Sequence, residues 1–300
     1  MAKTNKDIFG QVLVALVTPM TPEGEVDWAS TEKHIDYVIS NGADGVVVTG
    51  TTGETSTLTD AEKIKLVEVG KSVAAGRAKI ITGGGSNETA HAMQLYKQSE
   101  KAGADGVMIV TPYYNKPTQL GIIEHYKYIA SCTKLPIIMY NVPGRTGSNM
   151  LAETTIELAK IDNIVAMKEA SGNMEQIMEV IRLKPEGFGV LSGDDALTMP
   201  LIAAGADGVI SVVANALPEK FSSMVNASIE ENLSKARKEH YELLPITKMF
   251  FEEGNPGGVK VALAKRGVLN SHMRLPLVQV SLDLKNRIEK EMELLLEQNN

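Results

Sequence analysis

"GADGVVV" occupies residues 42–48, "GADGVMIV" residues 103–110 and "GADGVIS" residues 205–211. Each copy follows a segment with helical spacing and opens a β-branched apolar run. The first glycine ends a helix, Ala-Asp-Gly makes a tight turn, and valine begins a strand. Three copies in one local context mark repeated αβ units.

Working outward from these turns, eight short apolar runs read as strands: Val12–Val17, Gly45–Thr49, Lys79–Thr82, Gly106–Val110, Pro136–Tyr140, Ile164–Lys168, Gly189–Ser192 and Gly208–Val212. They are continuous rather than alternating, the pattern of strands covered on both faces. Amphipathic segments lie between them, among them Thr59–Ala75, Thr89–Ala102, Gln119–Cys132 and Leu151–Lys160, with helix-start residues at Thr59, Asn87 and Asn173. Eight strands alternating with helices predict an α/β fold, a (β/α)8 TIM barrel rather than an open doubly wound sheet. No Gly-x-Gly-x-x-Gly opens the first unit, which argues against dinucleotide binding. Helical patterns continue from about Pro218 through "SIEENLSKARKEHYELLPITKMFF" (228–251) and "LVQVSLDLKNRIEKEMELLLEQ" (277–298). The expected division is a catalytic barrel over residues 1–230 and a small C-terminal helical domain over 231–300, with a solvated charged face at its end.

A chain of 300 residues suits one α/β barrel, and 43% hydrophobic with 22% charged residues is ordinary for a soluble protein. A net charge of −7 without a basic stripe argues against nucleic acid as a partner. The single cysteine, Cys132, allows no internal disulfide and fits a reducing compartment. The first ten residues are polar, and no apolar run approaches the ~20 residues of a membrane span. A soluble, cytoplasmic protein with no membrane partner is expected.

Functional groups of such a barrel gather where strands end. Those ends hold Thr18-Pro19, "TGTTGET" (49–55), "TPYYN" (111–115), "YNVPGRTG" (140–147), Lys168, "SGDD" (192–195) and Ser211. Hydroxyls, phenols, one lysine and one arginine are present; convergent histidines or cysteines are not. His34, His91, His125, His240 and His272 are scattered, which argues against a zinc site. Asp194-Asp195 reads as a turn or helix cap. Gly83–Gly85 reads as a tight turn, because no Lys-Ser/Thr follows to hold a phosphate. Cys132, on a helical pattern without a base, reads as structural.

The run "IVAMK" (164–168) ends on a lysine, which is costly to bury while charged. Such a side chain either snorkels to water or serves as a nucleophile. A neutral amine adds to a ketone to form an imine, whose positive nitrogen withdraws electrons from the neighbouring carbon. An ordinary lysine is uncharged about once in a few thousand at neutral pH, and desolvation raises that fraction. Phenols and hydroxyls carry protons without adding an anion that would hold an amine charged. The constellation is coherent with imine chemistry, and the snorkelling reading stays open on these residues alone.

With "GTTGE", "TPYYNKP", "YNVPGRTG", "VAMKEASG" and "SGDD" in this order, the chain resembles the 4-hydroxy-tetrahydrodipicolinate synthase (dihydrodipicolinate synthase) family, from about Phe9 to the C-terminal helices. The resemblance implies a (β/α)8 barrel with a C-terminal helical domain, assembled as a homotetramer of tight dimers. It implies condensation of pyruvate with L-aspartate 4-semialdehyde through a lysine Schiff base, with no metal or organic cofactor, in the diaminopimelate route to lysine. By motif, Lys168 matches the imine-forming lysine and Tyr140 the proton donor and acceptor. Thr51 and Tyr114 match its relay, and Thr52 the hydroxyl that holds the pyruvate carboxylate. Gly193 and Ile210 match positions whose backbone lines the pyruvate pocket. The relay tyrosine of the family reaches a neighbouring subunit's site, so Tyr114 is expected to act across a dimer interface with Tyr113 packed beside it.

Arg145 separates this family from its relatives, since a guanidinium forks onto a carboxylate such as the semialdehyde's. The competing readings are another lysine-dependent pyruvate aldolase or lyase, of the N-acetylneuraminate or keto-sugar-acid kind, and a non-catalytic barrel. One departure bears on regulation. Lysine-inhibited members often carry an acid where this chain has His91, one turn after Asn87, and histidine where it has Asp60 and Lys63. Weak or absent lysine feedback is expected.

Overall fold

The computed structural model describes residues 5–297, and within them eight parallel strands close into one barrel in chain order. They are β1 (Val12–Ala15), β2 (Gly45–Val48), β3 (Lys79–Thr82), β4 (Gly106–Val110), β5 (Ile137–Asn141), β6 (Ile164–Glu169), β7 (Gly189–Ser192) and β8 (Gly208–Ser211). β8 pairs with β1 to complete the ring. A short helix, α1 (Asn5–Phe9), precedes the barrel. The surrounding layer is α2 (Trp28–Ser40), α3 (Asp60–Ala74), α4 (Thr89–Lys101), α5 (Gln119–Cys132), α6 (Pro143–Thr146) and α7 (Ala152–Leu158), followed by α8 (Met174–Leu183), α9 (Thr198–Ala203) and α10 (Pro218–Ile229). Three further helices follow: α11 (Leu233–Glu252), α12 (Gly257–Lys265) and α13 (Leu282–Glu297). No described helix is long and apolar enough to cross a membrane.

The repeated Gly-Ala-Asp-Gly does more than turn the chain. Gly42, Gly103 and Gly205 adopt φ of 106°, 90° and 106°, the left-handed region that favours glycine. The aspartate that follows reaches sideways to the preceding strand. Asp44 accepts hydrogen bonds from the amides of Gln11 and Val12, Asp105 from Ile80, and Asp207 from Val190, all at 2.8–2.9 Å. Each carboxylate therefore clips its own unit to its neighbour, β2 to β1, β4 to β3 and β8 to β7.

Strand residues alternate between two packed layers, as the period of two requires. Met108, Ile138, Tyr140 and Ala166 join the cluster that includes the barrel interior. Val107, Ile109, Ile137, Met139 and Met167 pack beneath α4, α5, α7 and α8. Both layers are apolar, so the sequence shows continuous runs.

Several expected boundaries shift. β1 ends at Ala15, before the expected Val17, while β5 and β6 each run one residue further because Asn141 pairs with Glu169. Thr59 caps α3 in a full capping box, and Asn173 caps α8. Asn87 does not cap α4; Glu88 holds that position without a side-chain bond, and the Asn87 carbonyl accepts from Asn115 instead. α7 is shorter than Leu151–Lys160. "LVQV" (277–280) is not helical, since α13 starts at Leu282.

Candidate active site

Two adjacent strands carry the central pair. The β5–β6 register sets Tyr140 opposite Lys168 and Asn141 opposite Glu169. Alternation then sends the first pair into the barrel and the second out toward the helices. Lys168, 5% exposed, places its Nζ 4.4 Å from the Tyr140 ring centroid. The snorkelling alternative is thereby removed.

Glu169, one residue away, does not neutralise the lysine because it lies on the other face. Its carboxylate accepts from the Ser171 amide at 2.7 Å and the Asn141 side chain at 3.2 Å. Burial holds this carboxyl above its ordinary value, against those hydrogen bonds. Asn141 also bonds Asn149 at 2.9 Å, and its oxygen accepts from the Met150 amide, so the connection after β5 is fixed from behind.

A cavity of about 530 Å³ opens at this end of the barrel, walled by Thr51, Thr52, Tyr140, Arg145, Lys168, Gly193 and Asp194 among others. Thr51 and Thr52 arrive on the turn after β2. Thr52 is buried, and its Oγ1 accepts from Asn255 Nδ2 at 2.9 Å, which leaves the hydroxyl proton free to point elsewhere. Arg145 comes on the single turn of α6 and forms no ion pair among the described residues. The turn after β7 brings Gly193 against the lysine stem. A Cβ at that position would lie 2.9 Å from Lys168 Cε and 2.8 Å from Ala170 Cβ.

"SGDD" builds this turn. Asp194 accepts from the Ala196 amide as a cap, while Asp195 accepts from the amides of Val212 and Val213 at 2.9 and 3.1 Å, joining the ends of β7 and β8. Burial pushes the Asp195 carboxyl up to about 6. Gly83–Gly85 makes a strand-to-helix turn, with Gly84 and Gly85 at φ 96° and 91°. Among the described residues, no group of three or more His, Cys, Asp or Glu could hold a metal ion.

Of the residues read from the sequence, Thr51, Thr52, Tyr140, Arg145, Lys168 and Gly193 share the cavity, while Tyr114 and Ile210 are not among its walls. Ile210 is buried within β8, and the wall there is Val212. Tyr114 is 88% exposed, at φ 72°. A second cavity of about 470 Å³ adjoins the first through Thr51, Tyr140 and Arg145, and includes Lys63, His91 and Tyr113. His91 Nε2 lies 2.9 Å from Asp60 Oδ2.

Sequence reasoning missed the contribution from beyond the barrel. Lys248, Phe251 and Asn255 line the mouth. Lys260 forms a wholly buried ion pair with Glu54 of the "GTTGE" turn. Burial pulls the Lys260 amine below its ordinary value, and Glu54 opposes that shift. "NPGG" (255–258) signals a tight connection but not what it touches.

Comparison with known proteins gives a consistent picture. The model of the dihydrodipicolinate synthetase family matches residues 8–295. The 4-hydroxy-tetrahydrodipicolinate synthase of Syntrophus aciditrophicus is 44% identical over 95% of this chain and 98% of its own. The crystal structure of dihydrodipicolinate synthase from Aquifex aeolicus superposes with a TM-score of 0.92 at 42% identity, covering 96% and 98% of the two chains. That of the Acinetobacter baumannii enzyme complexed with pyruvate gives 0.92 at 39% identity, covering 94% and 97%.

Proposed function

The chain belongs to the dihydrodipicolinate synthetase family, and from that membership we propose that Lys168 performs the family's chemistry in the cavity at the barrel mouth. The activity is condensation of pyruvate with L-aspartate 4-semialdehyde to 4-hydroxy-tetrahydrodipicolinate, a lyase reaction of the diaminopimelate route to lysine.

In the proposed sequence the Lys168 amine adds to the pyruvate ketone and water leaves, giving an imine. Loss of a methyl proton gives an enamine, whose carbon attacks the aldehyde and makes a hydroxyl-bearing carbon. The substrate's own amine then displaces Lys168 from the imine carbon and closes the ring. Tyr140 moves protons to and from the reacting oxygens and nitrogen, with Thr51 and Tyr114 as its relay. Thr52 donates to the pyruvate carboxylate, and Gly193 contributes backbone at that end of the pocket. Arg145 receives the semialdehyde carboxylate.

The observation that carries the reading is the buried Lys168 amine stacked over Tyr140 in a cavity that also holds two threonine hydroxyls and a guanidinium without an ion pair among the described residues. The exposure of Tyr114, away from its own cavity, supports its serving a neighbouring copy across a tight dimer, and the homotetramer of such dimers is proposed from family membership alone. A cytoplasmic location and a division of the chain into a barrel (1–230) and a C-terminal helical domain (231–300) belong to the same proposal. Borohydride reduction with pyruvate followed by peptide mapping is the test. A reduced pyruvate adduct on Lys168 is expected; turnover with that side chain unmodified would refute the assignment.

A further inference from the structure

The turn that presents Thr51 and Thr52 is held in a conformation that its own residues disfavour. Thr49 and Glu54, which bracket it, sit at φ 57° and 58°, left-handed for residues with a Cβ. Such backbone persists where surrounding groups over-determine it. On one side Thr49 Oγ1 donates to the Gly83 carbonyl at 3.0 Å and meets Thr82 Oγ1 at 3.2 Å. On the other, the Glu54 carboxylate is gripped from about 200 residues away in sequence. One oxygen takes the Lys260 ammonium, which also donates to the His272 carbonyl at 2.7 Å. The other accepts from the Arg274 amide at 3.0 Å. Within the turn, the Glu54 amide donates to the Thr51 carbonyl at 3.1 Å, so fixing Glu54 fixes Thr51. Asn255, just before α12, holds Thr52 directly.

Both charged side chains are fully buried. Desolvating two charges is costly, and apolar replacements of similar size are often as stable or more so. Stability alone is therefore a poor account of the pair, and a role in specifying one conformation is the better one. We propose that Lys260 is a positioning residue for pyruvate binding, acting through the Glu54 carboxylate to hold Thr51 and Thr52 at the cavity wall. The proposal rests on the reading of Lys168 and Thr52 given above.

The test uses the full chain carrying Glu54→Gln with Lys260→Met, which removes both charges at nearly constant volume. Folding is read by circular dichroism, and KM is measured for each substrate. The expected result is a folded protein whose pyruvate KM rises at least about fivefold and more than its semialdehyde KM. As a control, Lys220→Met removes the buried cation of another ion pair, 2.7 Å from the partly exposed Glu242, neither of which lines the cavity; it leaves both KM values unchanged. Should the double variant fail to fold, Glu54→Gln with Lys260→Gln, which removes both charges while keeping a polar group at each position, reads the same split. A smaller pyruvate effect, an equal rise for both substrates, or the same loss from Lys220→Met would overturn the proposal. Borohydride trapping in the parent separates the two failures. Absence of a Lys168 adduct sinks the site assignment, whereas an adduct with unaltered variant kinetics sinks only the positioning role.

Discussion

Replacing Gly193 by alanine isolates the placement of Lys168 from its chemistry. The backbone at 193 is not left-handed, so alanine is conformationally admissible there and only space opposes it. Its Cβ would stand 2.8 Å from Ala170 Cβ, 2.9 Å from Lys168 Cε and 3.1 Å from the Glu169 carbonyl. Ordinary carbon–carbon contacts lie at about 3.5–4.0 Å, so each carbon pair is short by roughly 0.6 Å or more. Ala170 Cβ and the Glu169 carbonyl are set by backbone, so the turn at 193 must shift as well, and the flexible group that yields is the lysine stem. The amine it carries then moves by about 1 Å, a displacement that costs on the order of a hundredfold in rate, or about 2.7 kcal/mol. Overpacking also lowers stability by about 1–3 kcal/mol. Single-turnover imine formation with pyruvate, trapped by borohydride and read by mass spectrometry, measures the first effect, and urea unfolding the second. Imine formation in the folded Gly193→Ala variant at a rate within about threefold of the parent would refute the reasoning, since a misplaced amine cannot keep its attack geometry.

Three further outcomes are expected. Arg145→Ala lowers kcat/KM for the semialdehyde about ten- to hundredfold, the worth of roughly 1.5–3 kcal/mol for hydrogen bonds to a charged group, while the pyruvate imine forms at the parent rate; equal loss of both steps would count against the assigned role. L-lysine inhibits the steady-state rate weakly or not at all, because His91, which lines the second cavity, lies 2.9 Å from Asp60 Oδ2 and leaves no free acid there for an ammonium; strong inhibition by low lysine refutes this. Acid lowers stability through His34 and His125, both buried and both pulled by burial from 6.5 to about 4. Their contribution is fully present above pH 6.5 and is lost as pH falls through about 4, amounting to roughly 2–3 kcal/mol for each at about pH 4.5. Asp195, raised to about 6, works in the opposite sense, being stabilising at low pH and losing that contribution as pH rises through about 6. Urea midpoints at pH 7 and 4.5 for the parent and His34→Gln isolate one histidine; an equally steep acid loss in both proteins would exclude it as a source.

The Gly-Ala-Asp-Gly repeat illustrates how far local pattern reaches. Its glycines and the apolar run behind them specify a helix end, a turn and a strand start, and the structure has all three. That the aspartate clips the neighbouring strand was not legible, because its partners lie about 17–33 residues away and are backbone amides, which carry no sequence signature. Lys168 was legible for a related reason. A lysine that ends an apolar strand is locally inconsistent, and such inconsistencies concentrate at functional sites. Asn255 and Lys260 showed no equivalent sign. Lys260 sits on a helix as any surface lysine would, and its burial appears only once α12 packs over the "GTTGE" turn.

Chain periodicity and turn chemistry by themselves determined the number, order and parallel sense of the strands, and which side chains stand at their ends. Both follow from interactions within one αβ unit, and every unit must bury the same two faces. Only the closed barrel decided that Lys168 faces Tyr140 while Glu169 faces Asn141, and that a carboxylate at residue 54 meets an ammonium at 260. Those outcomes depend on register and on contacts up to 206 residues apart, where periodicity records how buried a residue is but not what it is buried against.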